Sequence, residues 1–102
     1  MNMLIVTGYM HIEPAHLAAF NRDLQALAVA TRQRDGNLFY GIAIDDAARG
    51  RLLVAERWRD QAALTAHLHA PDTLAFVDQW GSLMRGEILK YDAANERSLM
   101  DE

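Results

Sequence analysis

The chain has 102 residues, enough for one domain with a small core. Its net charge of −4 argues against a nucleic-acid partner, and the lack of cysteine excludes disulfides, thiolate metal sites and thiol catalysis. No apolar run approaches the ~20 residues that span a bilayer, and the amino terminus lacks the pattern of a signal peptide. We therefore expect a cytoplasmic protein with no membrane partner.

The first third of the chain predicts a strand followed by a helix. The segment from Met3 to His11 is largely apolar on both alternating faces, which is typical of a strand covered on both sides. Pro14 suits the first position of a helix, and Gly36 suits a left-handed cap after its end. The buried stripe of this helix is expected at Leu17, Phe20, Leu24 and Leu27.

Two further strands are predicted at Asn37 to Asp45 and at Arg51 to Trp58, joined by a short polar connection. Tyr40 shares one face of the first of these strands with its aliphatic neighbours. One face of the second strand consists of Leu52, Val54, Glu56 and Trp58. Because a buried charge without a partner is unfavourable, the carboxylate on this apolar face must find one.

A second helical region follows, with Asp60 as its predicted N-cap. At about 100° per residue, His67 falls inside the apolar stripe of this helix, whereas His69 points away from it. The helix is expected to restart after Pro71. The predicted apolar side of the restarted helix is Leu74, Val77, Trp80 and Met84.

A fourth strand is predicted from Gly86 to Tyr91, so residues 1–92 are expected to form the domain and 93–102 a polar tail. The order strand, helix, strand, strand, helix, strand is that of the ferredoxin-like βαββαβ fold, an α+β antiparallel sheet with helices on one face. The other sheet face is not polar, and soluble monomers rarely expose such a patch. A second copy of the chain or a ligand cavity would explain this face, and we expect both.

Four segments of the chain carry a family resemblance: LIV in the first strand, EPAHLAAF, DGNLFYGIAID and VAERWRDQAALTAHLHAPDTLAFV. From Leu4 to Tyr91 the chain resembles the antibiotic biosynthesis monooxygenase family. The resemblance implies a dimeric α+β barrel. Members similar to this chain oxidise quinols or polyphenolic polyketides with O₂ and use no flavin, haem or metal.

The candidate site lies where the third strand meets the second helix. His67 is the candidate catalytic base because imidazole titrates near neutral pH, and a histidine that merely packs on a helix face is the alternative. Trp58 is a candidate pocket wall, and Glu56 is expected to orient His67 or to bind a phenolic hydroxyl. Tyr9 and Tyr40 are candidate hydrogen-bond donors to a substrate. For the aromatic residues the alternative is core packing, and for Glu56 it is a structural ion pair.

No glycine-rich dinucleotide or phosphate motif occurs, and His67 and His69 face different directions on a helix, so we expect neither cofactor nor metal. The leading hypothesis is a homodimeric, cofactor-independent monooxygenase acting on a quinol or polyhydroxylated aromatic. One alternative is a non-catalytic protein of this fold that binds a small aromatic. Another is an isomerase of a small carbonyl metabolite, which would require a cationic or polar pocket. This hypothesis would be favoured if Arg51 or Arg57 faced the pocket.

Overall fold

The structure, a computed structural model, describes residues 2–102. Its strands are β1 (Met3–Ile12), β2 (Asn37–Asp46), β3 (Arg51–Trp58) and β4 (Met84–Ala93). Its helices are α1 (Leu17–Thr31), α2 (Gln61–Leu68) and α3 (Pro71–Trp80), and a 3-10 turn at Pro14–His16 precedes α1. Strand β4 is longer than predicted at both ends and includes Met84, which was expected on the helix.

The four strands form one antiparallel sheet in the order β2-β3-β1-β4. Each helical connection passes one intervening strand, so the predicted ferredoxin-like α+β fold is confirmed. Buried side chains from the sheet and from all three helices form one core between them. Within the described range, no helix combines the length and apolarity needed to cross a membrane.

The turn after α1 and the turn after β3 are tied together, and this places the start of α2. Gly36 adopts a φ of 82°, and its carbonyl oxygen accepts a hydrogen bond from the backbone N–H of Arg59 at 2.8 Å. Arg59 also donates to both carboxylate oxygens of Asp35, each at 3.1 Å. Asp60 caps α2 as predicted, since its Oδ1 accepts from the backbone N–H of Ala63 at 2.9 Å.

The rotation of α3 about its axis differs from the prediction. The expected apolar side is wrong for Leu74 and Val77, which are 51% and 48% exposed, whereas Trp80 is buried as predicted. The buried side of α3 consists of Thr73, Phe76 and Trp80. Phe20 of α1 packs against the rings of Phe76 and Trp80, with centroids 5.4 Å apart in both pairs. Two aromatic rings bury more apolar area than one leucine and one valine, so they determine which side faces the core.

The sheet face directed away from the helices is exposed and rich in apolar side chains. We call it the outer face, and its large apolar members are Tyr9, Phe39, Leu53, Leu89 and Tyr91. The guanidinium of Arg51 lies over the ring of Tyr9 at 4.9 Å, and that of Arg57 lies over Phe39 at 5.2 Å. Both arginines therefore belong to the outer face.

Candidate functional site

A row of four side chains crosses the sheet beneath the helices. Strand pairing sets Tyr40 opposite Glu56, Glu56 opposite Val6, and Val6 opposite Lys90. Because paired residues share a face of the sheet, all four project toward the helices. We call them the floor row. All four line a cavity of about 600 Å³ between the sheet and the helices.

The cavity wall is predominantly apolar. Leu24 and Leu27 contribute to it from α1, Leu64 from α2 and Phe76 from α3. Its polar side chains are Tyr40, Glu56, His67, Thr73 and Lys90. Small-molecule sites commonly have volumes of about 300–1,000 Å³ and combine an apolar lining with a few convergent polar groups. This cavity is therefore the candidate functional site.

His67 lies in the wall of the cavity and is only 4% exposed. Its ring stacks on Trp58 with 5.0 Å between centroids and 27° between planes, and it meets Tyr40 edge-on at 5.7 Å. Its Nδ1 is 3.5 Å from Oγ1 of Thr73, at the outer limit of a hydrogen bond. The two aromatic rings hold the imidazole in place, while the weak contact with Thr73 leaves it able to bond a ligand.

The surroundings of His67 favour its neutral form. The pKa of His67 is lowered from 6.5 to about 4, mainly by burial and also by the positive charge of Arg34, with a partly opposing effect of Asp72. Nη2 of Arg34 and Oδ1 of Asp72 are 2.6 Å apart, so this pair ties the turn after α1 to the start of α3. At neutral pH the imidazole is therefore unprotonated and can accept a proton.

Glu56 is a buried carboxylate that forms no ion pair with any described residue. Its Oε1 accepts a hydrogen bond from Nε1 of Trp58 at 2.9 Å. Burial raises the pKa of Glu56, and the hydrogen bond from Trp58 opposes that rise. Of its two expected roles, direct orientation of His67 has no supporting contact, because the carboxylate bonds the indole instead. The second expected role, binding a substrate hydroxyl, is consistent with the place of Glu56 in the cavity wall.

Tyr40 stands beside Glu56 in the floor row. Burial raises the pKa of the Tyr40 hydroxyl, and the negative charge of Glu56 raises it further, so the phenol stays protonated. Nε of Arg32 donates to the Tyr40 carbonyl oxygen at 2.9 Å and so links the end of α1 to β2. Tyr40 therefore offers the cavity a phenolic group that can donate a hydrogen bond.

The structure brings four of the five predicted residues together and leaves one apart. Tyr40, Glu56 and His67 line the cavity. Trp58 is fully buried behind His67 and Glu56, outside the cavity lining, so it touches the site through these two neighbours. Tyr9 is 38% exposed on the outer face, on the side of the sheet opposite the cavity.

Two polar residues of the cavity were not found by the sequence reasoning. Thr73 is buried next to His67 because α3 is rotated to place its aromatic residues in the core. The pattern that predicts this rotation is the i, i+4 spacing of Phe76 and Trp80, which also places Thr73 on that side. Lys90 enters the cavity through its pairing with Val6, and the local sequence gives no sign of this pairing.

The cavity can exchange protons with a ligand and hydrogen-bond its oxygen atoms. It offers a neutral imidazole on His67, a carboxyl on Glu56, a phenol on Tyr40 and an ammonium on Lys90, set in apolar walls. Among residues 2–102 there is no group of three or more His, Asp or Glu side chains that could hold a metal ion. The described side chains thus suit proton transfer to and from an apolar ligand.

The sequence profile of the antibiotic biosynthesis monooxygenase family matches residues 3–79. The chain belongs to this family. The match includes β1, α1, β2, β3 and α2 and nearly all of α3. It therefore covers the floor-row residues Tyr40, Glu56 and Val6, together with His67, while Lys90 lies beyond the matched range.

Three known proteins, two of them solved structures, illustrate what the chain is similar to. The crystal structure of a "putative antibiotic biosynthesis monooxygenase" from Deinococcus radiodurans has 29% sequence identity and a TM-score of 0.84, over 96% of this chain and 99% of that one. PA3566 from Pseudomonas aeruginosa has 26% identity and a TM-score of 0.83, over 93% and 97% of the two chains. "Putative monooxygenase YcnE" from Bacillus subtilis is 23% identical over 80% of this chain and 86% of its own length.

Proposed function

We propose that this family member is a cofactor-independent monooxygenase that oxidises a quinol or polyhydroxylated aromatic with O₂, and that His67 is the base. The observation that carries the proposal is the neutral imidazole of His67 in the wall of an apolar cavity of about 600 Å³. Family membership supports a monooxygenase reaction. The aromatic substrate is the one that the family resemblance implies, and the apolar walls of the cavity suit it.

The proposed reaction begins with proton transfer from a ring hydroxyl to His67. An electron-rich hydroxyarene that has lost this proton can pass an electron to O₂ itself, and the apolar walls keep water from the radical pair. One oxygen atom becomes a carbonyl oxygen on a ring carbon. The other leaves as water with two hydrogens, one from that carbon and one from the ring hydroxyl. The substrate supplies all the electrons, so the reaction consumes no external reductant.

The other cavity residues receive supporting roles in this proposal. Glu56 and Tyr40 hydrogen-bond the oxygen atoms of the substrate, since both lie in the floor row beside His67. Trp58 positions His67 by stacking behind it.

Tyr9 belongs to the outer face and not to the cavity. We propose that a second copy of the chain covers this face, because an apolar surface of this extent is rare on a soluble monomer.

A binding function without catalysis is the second candidate. It is favoured by the low pKa of about 4 at His67, which makes the imidazole a weak proton acceptor when the cavity is empty. The isomerase hypothesis gains nothing from Arg51 and Arg57, because both lie over rings of the outer face instead of facing the cavity, whose wall is predominantly apolar.

Oxygen consumption separates catalysis from binding. The purified protein is mixed with naphthohydroquinone, first without air and then with air, and O₂ uptake is recorded against a protein-free control. We expect uptake only in air, and a loss of about 100-fold or more in His67→Ala, since general bases contribute roughly 10²–10⁴-fold. His69→Ala is the matched control, because His69 is exposed just after α2 and should retain full activity. An unchanged rate in His67→Ala would remove the base role, and binding without O₂ uptake would favour the second candidate.

A further inference from the structure

Lys90 is the single lysine of the chain, and it lines the cavity. It lies on β4, the edge strand of the sheet, at the end of the floor row. Its Nζ donates to Oε1 of Gln61 at 2.7 Å, so a neutral amide holds the ammonium group in position. No carboxylate among residues 2–102 forms a salt bridge with it. Lys90 is exposed to solvent, so the cavity has at its edge a cation without a salt-bridge partner in the described part of the chain.

The nearest acidic groups leave this charge available. Asp60 and Asp92 line a polar recess together with Lys90. Asp60 is already engaged, since its Oδ1 accepts from the backbone of Ala63 and its Oδ2 accepts from Arg59. Asp92 and Lys90 are both exposed to solvent, where the attraction between opposite charges is weak. An anionic group within the cavity would be screened less and would attract Lys90 more strongly.

The floor row sets the backbone separation between Lys90 and the strand that carries Glu56. Neighbouring strands lie about 4.8 Å apart, so the backbone of Lys90 on β4 lies roughly 10 Å across the sheet from that of Glu56 on β3. Val6 of β1 lies between them and provides an apolar floor for ring carbons. A single ring is shorter than this span, whereas two fused rings with a substituent at each end match it.

We propose that Lys90 binds an anionic substituent, so that the cavity selects a fused-ring hydroxyarene with a carboxylate at the end opposite its reacting hydroxyl. The hydroxyl end lies among Tyr40, Glu56 and His67, and the carboxylate end accepts a hydrogen bond from the Lys90 ammonium. This inference rests on the proposed function in one respect only, that a hydroxyarene occupies the cavity. It makes Lys90 a residue that determines specificity.

Binding of two related compounds without air tests the inference independently of turnover. Calorimetric titration compares naphthohydroquinone, which is neutral, with dihydroxynaphthoate, which carries a ring carboxylate. Lys90→Met should weaken binding of the carboxylate compound by about tenfold and leave the neutral compound unchanged, as expected for one hydrogen bond to a charged group. Lys90→Arg should retain the preference. Arg85→Met is the matched control, because it removes an exposed charge from the opposite face of the same strand.

Chemical labelling gives a second measurement that requires no variant. Reductive methylation modifies only Lys90 and the amino terminus, and dihydroxynaphthoate should slow the reaction at Lys90 while naphthohydroquinone should not. Equal protection by both compounds, an equal loss of affinity for both in Lys90→Met, or no binding of either compound to the wild type would each overturn the inference. A preference for the carboxylate compound without O₂ uptake would preserve it while removing the proposed catalysis.

Discussion

Trp58 stacks on His67 with ring centroids 5.0 Å apart, and it is fully buried behind the imidazole. The same indole donates its Nε1–H to Glu56 at 2.9 Å. One buried side chain thus supports two groups of the cavity without lining it. We therefore expect a substitution of Trp58 to act by disturbing His67 and Glu56, and not by removing a contact with the substrate.

Replacing Trp58 by phenylalanine should destabilise the protein by about 2 kcal/mol or more at neutral pH. The ring that stacks on His67 is retained, but the buried carboxylate of Glu56 loses its hydrogen-bond donor, and such a loss costs about 1–3 kcal/mol. Urea unfolding at fixed protein concentration measures the change. Trp80→Phe is the matched control, since its Nε1 bonds the partly exposed Asp23. Water can replace that donor, so equal losses in the two variants would contradict the explanation.

His67 should make the protein less stable as the solution becomes more acidic. Its pKa is about 4 when folded and near 6.5 when unfolded, so only the unfolded chain takes up a proton between these values. The contribution to stability is complete above pH 6.5 and is lost as the pH falls toward 4, by up to about 3 kcal/mol at 1.4 kcal/mol per pKa unit. His67→Gln should flatten this part of the stability profile measured by urea unfolding. The same flattening in His69→Gln, a change at an exposed histidine, would argue against this assignment.

Glu56 should have the opposite pH dependence. Burial raises the pKa of its carboxyl in the folded state, so the stability it contributes is present at low pH and is lost as the pH rises through the folded pKa. Glu56→Gln keeps an oxygen acceptor for Trp58 and removes the buried charge. The variant should therefore gain stability relative to the wild type as the pH is raised from 4 to 8. A constant difference between the two unfolding curves across this range would show that the charge has no such effect.

A charge at the centre of the outer face should prevent the proposed pairing of two chains. Leu53 is half-exposed on β3, and Leu53→Glu places a carboxylate where a second apolar sheet would pack, at a high desolvation cost. Light scattering coupled to gel filtration should give twice the chain mass of 11.5 kDa for the wild type and a single chain mass for the variant. Leu74→Glu, at a similarly exposed position on α3, should leave the dimer intact. A wild type of single chain mass would rule out the pairing.

Much of the fold was predictable because its signals are local. Alternation along β3 placed Leu52, Val54, Glu56 and Trp58 on one face, and all four are buried there. The helical spacing of α1 predicted its buried stripe, and the capping by Asp60 and the left-handed turn at Gly36 follow from the chemistry of those residues. The helical spacing of apolar residues in α2 likewise placed His67 on the side of that helix that faces the core.

The arrangement of the site was decided by contacts between distant segments. The rotation of α3, which brings Thr73 to His67, depends on how Phe76 and Trp80 pack against α1. The floor row exists because β1 pairs with β3 on one side and with β4 on the other, and this register brings Lys90 into line with Glu56. A sequence pattern shows which residues share a face of one element. Which faces meet, and in what register, is determined only when the elements pack together and bury their largest apolar groups.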